Sequence, residues 1–514
     1  MATLQENDFI DYLLNNGKPT PDKIMLFNSP KFFIFLPVVY LVFFFVGERA
    51  RWCVLLAASL LFYATLHVPY LIAVLISVAM TTYVFGIWLD RAEYPKAKYS
   101  LLWTGISVNI LILVVMKYLP FLSENLKALS TLLPFDVQIQ PVKAFVAIGV
   151  SYYVFQAMSY LLDVYFEIVE PERNFGHFLL YLAFFPKLLQ GPIERAGDFL
   201  PQLKKLQVPC LNQFRSGMLL IIGGLFKKVV IADRLSLFVE PVYSNVHNFS
   251  GIYLLLATYS YAFQIYYDFS GYTDIALGTA RVFNINLTPN FNSPYLATSV
   301  ADFWRRWHIS FSRWILDYIF KPLQMHWRNL KNRGTALSLI VAFLVSGFWH
   351  GANWGFVVWG GLHGLYMACS VFYRPYQKKL HKALGIEKTT LLKVWQIFIT
   401  FHLVCVAWVF FRANSLADAW YVVTESFSGY GDLLKLKQNL EVLSQNGATL
   451  WEFNIAVLSI GLLLLMTSLA KRQHLMTIFY SKPFLVRCCF YYGIAMYLLL
   501  LGHFSNQSFA YVRF

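Results

Sequence analysis

The sequence predicts an all-α polytopic membrane protein, and three observations carry that prediction. Hydrophobic residues make up 58% of the chain and charged residues 13%, about half the roughly 25% usual in soluble domains. Apolar runs recur along all 514 residues, many near the roughly 20 needed for a helix to cross a bilayer. In the middle of the chain these runs alternate with polar, Pro- and Gly-bearing turns such as "FFPKLLQGPIER" and "YYDFSGYTDIALG". Such a pattern suits broken, re-entrant or surface helices better than full spans. The expectation is a bundle of about 10–12 membrane helices with re-entrant and amphipathic helices among them.

Taken in order, residues 1–24 are polar with a proline-bearing end and read as an N-terminal extension, either a short surface helix or a poorly ordered tail. A membrane domain follows over 25–514. No secretory signal is read, because the first apolar run starts late and lacks a small-residue cleavage site. Candidate spans in the first block are 32–46, 52–66, 69–89, 100–119 and 143–168. The middle block, 171–334, adds 215–232 and 252–267. The third block has 335–349, 353–373, 394–411, 452–470 and 484–503, with a loop over 412–450. No internal repeat is visible, which argues against a transporter built on inverted repeats.

The net charge of +15 lies in loops and one amphipathic stretch. On the positive-inside rule "RAEYPKAKY", "KRQH" and 378–393 face the cytoplasm. The basic residues alternate with membrane segments instead of forming one soluble face, so a nucleic-acid partner is not expected. The six cysteines, Cys53, Cys210, Cys369, Cys405, Cys488 and Cys489, have no metal-ligand spacing and read as small apolar residues.

Two stretches carry candidate chemistry. On a helical wheel of 301–320, Trp304, Trp307, His308, Phe311, Trp314, Ile315, Tyr318 and Ile319 share one arc. Arg306, Ser310, Arg313 and Asp317 occupy the opposite one. His308 should therefore point inward among aromatic rings, and Asp302 suits the N-terminal end of the helix dipole. The arginines, with Lys321, Arg328, Lys331 and Arg333, could hold lipid head groups or the phosphates of a nucleotide-bearing donor. Pattern alone leaves both readings open.

The second stretch is "FLVSGFWHGANWGFVVWGGLHG", which starts at Phe343. An ionisable side chain in a span is costly, so His350 is a functional candidate by default. Ser346 and Gly347 precede it by one turn, and Gly351 and Ala352 follow, which would leave room for a substrate. The alternative is a histidine bonded to a backbone carbonyl beside a helix break. His363 lies among glycines where helix packing explains the composition equally well. His402 and His503 read as packed residues. Asp163, Lys187, Asp268, Ser270 and Asp274 are further polar groups in apolar settings, and Asp268 and Asp274 are read as caps of a broken helix in preference to partners of a histidine.

Phosphate-loop, H-E-x-x-H, cysteine-zinc and G-x-S-x-G signatures are absent from the sequence. No metal site and no tightly bound cofactor are expected, and histidine chemistry remains.

With these residues in view, the chain resembles the membrane-bound O-acyltransferases, in the branch of the alginate O-acetyltransferase membrane subunit. The matching blocks are "MLFNSPKFFIFLP", "FFPKLLQGPIER", "YYDFSGYTDIALG", "NFNSPYLATSVADFWRRWHISFSRWILDYIFKPL", "SGFWHGANWGFVVWGGLHG" and "WVFFRA". "KPLQMHWRN" departs from the family's usual continuation of the amphipathic helix, and residues 1–24 precede the family pattern. The resemblance implies a helical bundle around a central tunnel, with His308 and His350 as the two catalytic-centre histidines. It implies a thioester donor such as acetyl-CoA reaching one mouth from the cytoplasm and a polysaccharide acceptor engaged from the other side. A partner extracytoplasmic acetyltransferase is implied as well. Arg305, Arg306, Arg313 and Lys321 are then the candidate donor contacts, with Ser346, Gly347, Asp268 and Asp274 in support. His350 would act as general base and His308 would align the thioester, or His350 would carry the acyl group transiently. D-alanyl transfer, peptidoglycan or cellulose acetylation, and a transporter or flippase of lipid or polysaccharide are the rival readings.

Overall fold

In the computed structural model the described residues are 25–130, 142, 145–428, 441, 443–444, 448–470 and 481–503, and no strand occurs among them. Residues 1–24 and "KRQH" lie outside the described residues. The first block holds α1 (Pro30–Phe45), α2 (Arg51–Ala64), α3 (Pro69–Arg91), α4 (Pro95–Leu113), α5 (Leu119–Ser130) and α6 (Val150–Tyr165). Prolines open α1, α3 and α4, where the missing N–H costs nothing and the ring presets a helical φ. A π-helical turn, Val114–Tyr118, joins α4 to α5 in one continuous rod.

The middle block holds α7 (Phe175–Ala183), α8 (Ala196–Leu203), α9 (Leu211–Leu225), a π-helical segment Phe226–Ala232, α10 (Asp233–Ser244) and α11 (Ile252–Val282). It continues through α12 (Val300–Trp304), α13 (Ile309–Ile315), a π-helical turn Leu316–Phe320, and α14 (Lys321–His326). The third block is α15 (Asn332–His350), α16 (Trp354–Ala383), α17 (Thr390–Arg412), α18 (Leu416–Glu425), α19 (Leu450–Ala470) and α20 (Phe484–Leu501). Side chains of Asn353, Thr389 and Ser415 accept from the first free N–H groups of α16, α17 and α18.

This is an all-α polytopic membrane protein. Among the described residues five helices are long and apolar enough to cross a bilayer: α3, the Pro95–Ser130 rod, α15, α16 and α17. α1 and Leu450–Leu465 are apolar but shorter. The expected spans at 52–66 and 143–168 are helical too, yet α2 and α6 stop at 14 and 16 residues. Large apolar side chains on the outer faces point away from the protein, as in α17, where Leu391 is 80% and Trp395 57% exposed; hydrocarbon is the solvent those faces suit.

Two expectations for the middle block change. "YYDFSGYTDIALG" is not broken, because it lies inside the 31-residue α11. Its glycines serve close packing: a Cβ on Gly271 or Gly278 would sit 2.7 or 2.5 Å from the carbonyl of Gly224 or Gly217 on α9. The wheel of 301–320, in contrast, assumed one helix where the chain has a break between α12 and α13.

Helices α15 and α16 form an antiparallel hairpin through the turn at 351–353. α17 returns along α16, so that Gly355 at the start of one meets the Phe410 carbonyl near the end of the other. The interior holds two large hydrophobic cores and two small ones. The largest gathers α1–α4, α6–α8 and part of α11 with Phe311, Trp314 and Trp349. The other large one gathers α10, α11, Trp304, Trp307, Phe343, Trp359, Trp408 and Phe411. The candidate histidines lie on the seam.

Candidate active site

The break before α13 is built by local hydrogen bonding. The Ser299 hydroxyl caps α12 by accepting from the Asp302 N–H at 3.2 Å. Six residues beyond Asp302, His308 adopts a left-handed backbone (φ 43°, ψ 55°), unusual for a residue with a Cβ. Asn290 holds the chain there. Its carbonyl accepts from the Ile309 N–H at 3.0 Å, and its side-chain oxygen accepts from the Ser310 N–H at 3.1 Å and the Ser310 hydroxyl at 2.7 Å. Ser310 in turn accepts from the Ile193 N–H at 3.0 Å. Ser310 is therefore buried, not on the outer face the wheel assigned to it. Asn290, fully buried, passed unnoticed in the sequence, where it reads as an ordinary loop residue of "NFNSPY".

The strained turn drives the His308 ring into the seam. It is fully buried, edge-on to Phe269 at 4.8 Å and beside Phe311 at 5.1 Å, Trp349 at 6.2 Å and Tyr152 at 6.5 Å between ring centroids. Neither ring nitrogen has a hydrogen-bond partner among the described residues. Orphaned buried polar atoms are rare and call for an explanation such as a bound ligand or a catalytic role.

His350 is the last residue of α15 and is 3% exposed. Its ring is 4.8 Å from those of Trp349 and Trp359, 5.6 Å from Phe311 and 5.4 Å from Phe411. The structure thus brings His308 and His350 against the same two rings, Phe311 and Trp349. His363 joins them. It is fully buried, its Nδ1 accepts from the Trp304 indole at 3.2 Å, and Trp359 is edge-on to both His350 and His363. His402 lies elsewhere, with Nε2 2.8 Å from the Tyr259 hydroxyl.

Two cavities share lining residues with the surroundings of His350, which lines neither. A largely apolar one of about 480 Å³ runs between α13 and α15, from Phe320 and Leu339 to Phe311 and Ser346, with Arg305 and Arg313 on its wall. A more polar one of about 450 Å³ is lined by Glu240, Tyr261, Gln264, Asn353, Phe411 and Arg412 among others. Phe311 on the wall of the first and Phe411 on the wall of the second both pack on the His350 ring.

The other sequence-derived candidates divide. Arg305 and Arg313 reach the apolar cavity, and Arg313 makes no ion pair among the described residues. Arg306 pairs with Asp302 at 3.1 Å and Lys321 with Asp317 at 2.6 Å; Asp317 also takes Arg195 at 2.6 Å. Burial raises the Asp302 carboxyl, but Arg306, the Thr298 N–H and Arg305 outweigh it and leave the group below the usual carboxylate range. Ser346 is buried one turn before His350 with an unpartnered hydroxyl.

Three expectations need correction. A Cβ on Gly347 would sit 2.3 Å from the Phe356 carbonyl, so its smallness admits α16, not a substrate. Asp268 and Asp274 cap no helix, since both lie within α11. Asp268 pairs at 2.7 Å with Lys228, which also pairs with Asp233 at 2.9 Å, and Asp274 pairs with Lys227 at 2.6 Å. These pairs tie α11 to the π-helical segment.

The profile described as MBOAT, membrane-bound O-acyltransferase family, matches residues 172–411, which hold His308, His350, His363 and the whole lining of the apolar cavity. The peptidoglycan O-acetyltransferase of Helicobacter pylori is 34% identical over 436 residues, covering 78% of this chain and 79% of that protein. The chain belongs to the membrane-bound O-acyltransferase family. Also similar is the probable alginate O-acetylase AlgI of Azotobacter vinelandii, 34% identical over 419 residues and 79% of each chain. A teichoic acid D-alanyltransferase of Bacillus subtilis is 27% identical over 333 residues, 63% of this chain and 80% of that one. As a family member the protein is an O-acyltransferase, and the transporter alternative falls.

Proposed function

We propose that this membrane-bound O-acyltransferase moves an acetyl group from a cytoplasmic thioester, acetyl-CoA, to an extracytoplasmic polysaccharide, with an extracytoplasmic acetyltransferase as partner. The observation that carries the reading is that the His350 ring packs on one wall residue of each of two cavities of different character, Phe311 and Phe411. The apolar cavity suits the pantetheine arm and acyl group, with Arg305 and Arg313 offering charge-assisted contacts to phosphates. The polar cavity suits a hydroxylated acceptor.

In this reading the neutral His350 imidazole accepts the acceptor's hydroxyl proton while its oxygen attacks the thioester carbonyl. The C–S bond then breaks and the thiolate takes the proton back from the imidazolium. His308, with unpartnered ring nitrogens, aligns the thioester or donates to the developing oxyanion. Aromatic rings on every side keep water from the thioester.

Orientation follows from the helix hairpin. Arg328 and Lys331 precede α15, Arg333 lies in its first turn, and Lys378, Lys379 and Lys382 end α16, so both basic clusters share one end, which the positive-inside rule assigns to the cytoplasm. Asn353 and Arg412 then lie toward the opposite side of a bacterial cytoplasmic membrane. The test is inverted membrane vesicles given labelled acetyl-CoA. Label should enter an acceptor glycan with the wild-type protein and not with His350→Ala. Transfer of D-alanine but not acetate would instead favour the reading suggested by the likeness to teichoic acid D-alanyltransferases.

A further inference from the structure

α15 ends at His350, and Gly351 is already extended (φ −176°, ψ 157°). The carbonyls of the last four helical residues, 347 to 350, therefore lack an i+4 partner within the helix. In water that is harmless; inside a bilayer each orphan costs several kcal/mol.

Three of the four are met by two adjacent side chains from a distant part of the sequence. The Lys117 ammonium donates to the Trp349 carbonyl at 2.9 Å and the His350 carbonyl at 3.1 Å. The Tyr118 hydroxyl donates to the Phe348 carbonyl at 2.8 Å and contacts that of Trp349 at 3.4 Å. The Tyr118 ring also stacks on Phe348, with centroids 4.6 Å apart and planes at 7°. The Lys117 ammonium lies 5.9 Å over the Trp349 ring, the ring that packs on Phe311 and faces His308. A cation at the C-terminal end of a helix also complements its dipole.

Both residues come from the π-helical turn Val114–Tyr118. Such single-turn interruptions of a long helix are often found at functional sites. Here the turn breaks an otherwise regular lipid-crossing rod at the height of the α15 terminus. A lysine in the apolar run "LILVVMKYLP" is itself costly in a membrane.

We propose that Lys117 and Tyr118 are positioning residues that clamp the end of α15 and thereby set the direction of the His350 imidazole. This rests on the acyl-transfer reading for its consequence, since the clamp touches the carbonyls beside the histidine and no reacting atom. It assigns the π-helical turn a role in catalysis, although that turn lies outside the 172–411 segment matched by the family profile.

The experiment compares wild type, Lys117→Met, Lys117→Arg and Tyr118→Phe, each purified in detergent. Two readouts are taken: thiol released from the thioester donor in the presence of acceptor, and backbone hydrogen exchange of the peptide over 346–354. Lys117→Met should lower kcat by up to about 100-fold with KM for the donor within about twofold, the scale expected when a reacting group is misplaced by about 1 Å. Tyr118→Phe should fall between it and wild type, and Lys117→Arg should recover most of the loss. Exchange over 346–354 should rise in Lys117→Met while α17 is unchanged. Unaltered kcat and unaltered exchange in both Lys117→Met and Tyr118→Phe would overturn the clamp, as would a loss of kcat that only tracks loss of folded protein. If the wild-type protein releases no thiol from any thioester, the acyl-transfer reading fails, and the exchange data still decide whether the clamp exists.

Discussion

At the scale of single residues, the centre is a pair of imidazoles set among aromatic rings. His308 has the clearer signature, with both nitrogens unpartnered in a fully buried ring. His350 has the better position, at a helix end beside a wall residue of each cavity. Replacing His350 by Ala should therefore reduce acyl transfer by at least about 100-fold, the lower end of what a general base supplies. The amount of protein in the membrane fraction, read by immunoblot, should stay near wild type because the ring sits at a helix end among large aromatic side chains whose packing on one another remains. Arg313→Ala should raise KM for a phosphate-bearing thioester roughly fivefold with little change in kcat, as expected for one partly exposed charge-assisted contact. A non-nucleotide thioester lacking those phosphates should show no such difference, which separates donor binding from a general defect. Transfer at the wild-type rate by His350→Ala would remove this histidine from the mechanism.

At the scale of elements, irregular backbone does the placing. The short helices α12 and α13 put His308 into the seam because the chain breaks between them, and Asn290 stabilises the break with three accepted hydrogen bonds. Asn290→Ala would leave both Ser310 donors without that side-chain oxygen, at a cost of about 1–3 kcal/mol each if no water replaces it. Its thermal midpoint in detergent should fall, and activity should fall further than stability alone explains. The α15–α16 crossing depends on a backbone approach that only glycine permits at Gly347 and Gly360, where an added Cβ would meet a carbonyl at 2.3 Å in each case. Gly347→Val should destabilise the protein by about 1–3 kcal/mol, the usual range for overpacking. A thermal midpoint equal to that of the wild type would mean the two helices can separate without penalty.

At the scale of the whole molecule, the two large cores meet where the chemistry is placed, so each half contributes one wall. The first core supplies Phe311 and Trp349, and the second supplies Phe269, Trp359 and Phe411. The orientation of the hairpin makes a direct prediction. In a background with its native cysteines replaced, Arg328→Cys should react with a membrane-impermeant maleimide only after the cytoplasmic face is opened. Asn414→Cys, on the rim of the polar cavity, should react in intact cells once the outer layers are permeable. The reverse pattern would invert the donor and acceptor assignments of the two cavities.

Membrane residence, helical class and the two histidine-bearing blocks could all be read in the sequence. Hydrophobic content, run length and the cost of an imidazole in an apolar stretch are local properties that need no partner. What needed a partner was misjudged or missed. Gly347 looked like room for a substrate because composition cannot say which backbone fills the gap. Asp268 and Asp274 looked like caps because their lysines, on the segment Phe226–Ala232, are remote in sequence. Ser310 looked exposed because a wheel assumes the helix continues, and only packing against Asn290 and Ile193 decides that it stops. Lys117 stood in plain view in an apolar run, yet its targets, the last carbonyls of α15, lie more than 230 residues away. Short-range chemistry names the candidates; only the tertiary fold decides which of them face one another, because burial in a membrane forces every leftover polar group to find its partner across the chain.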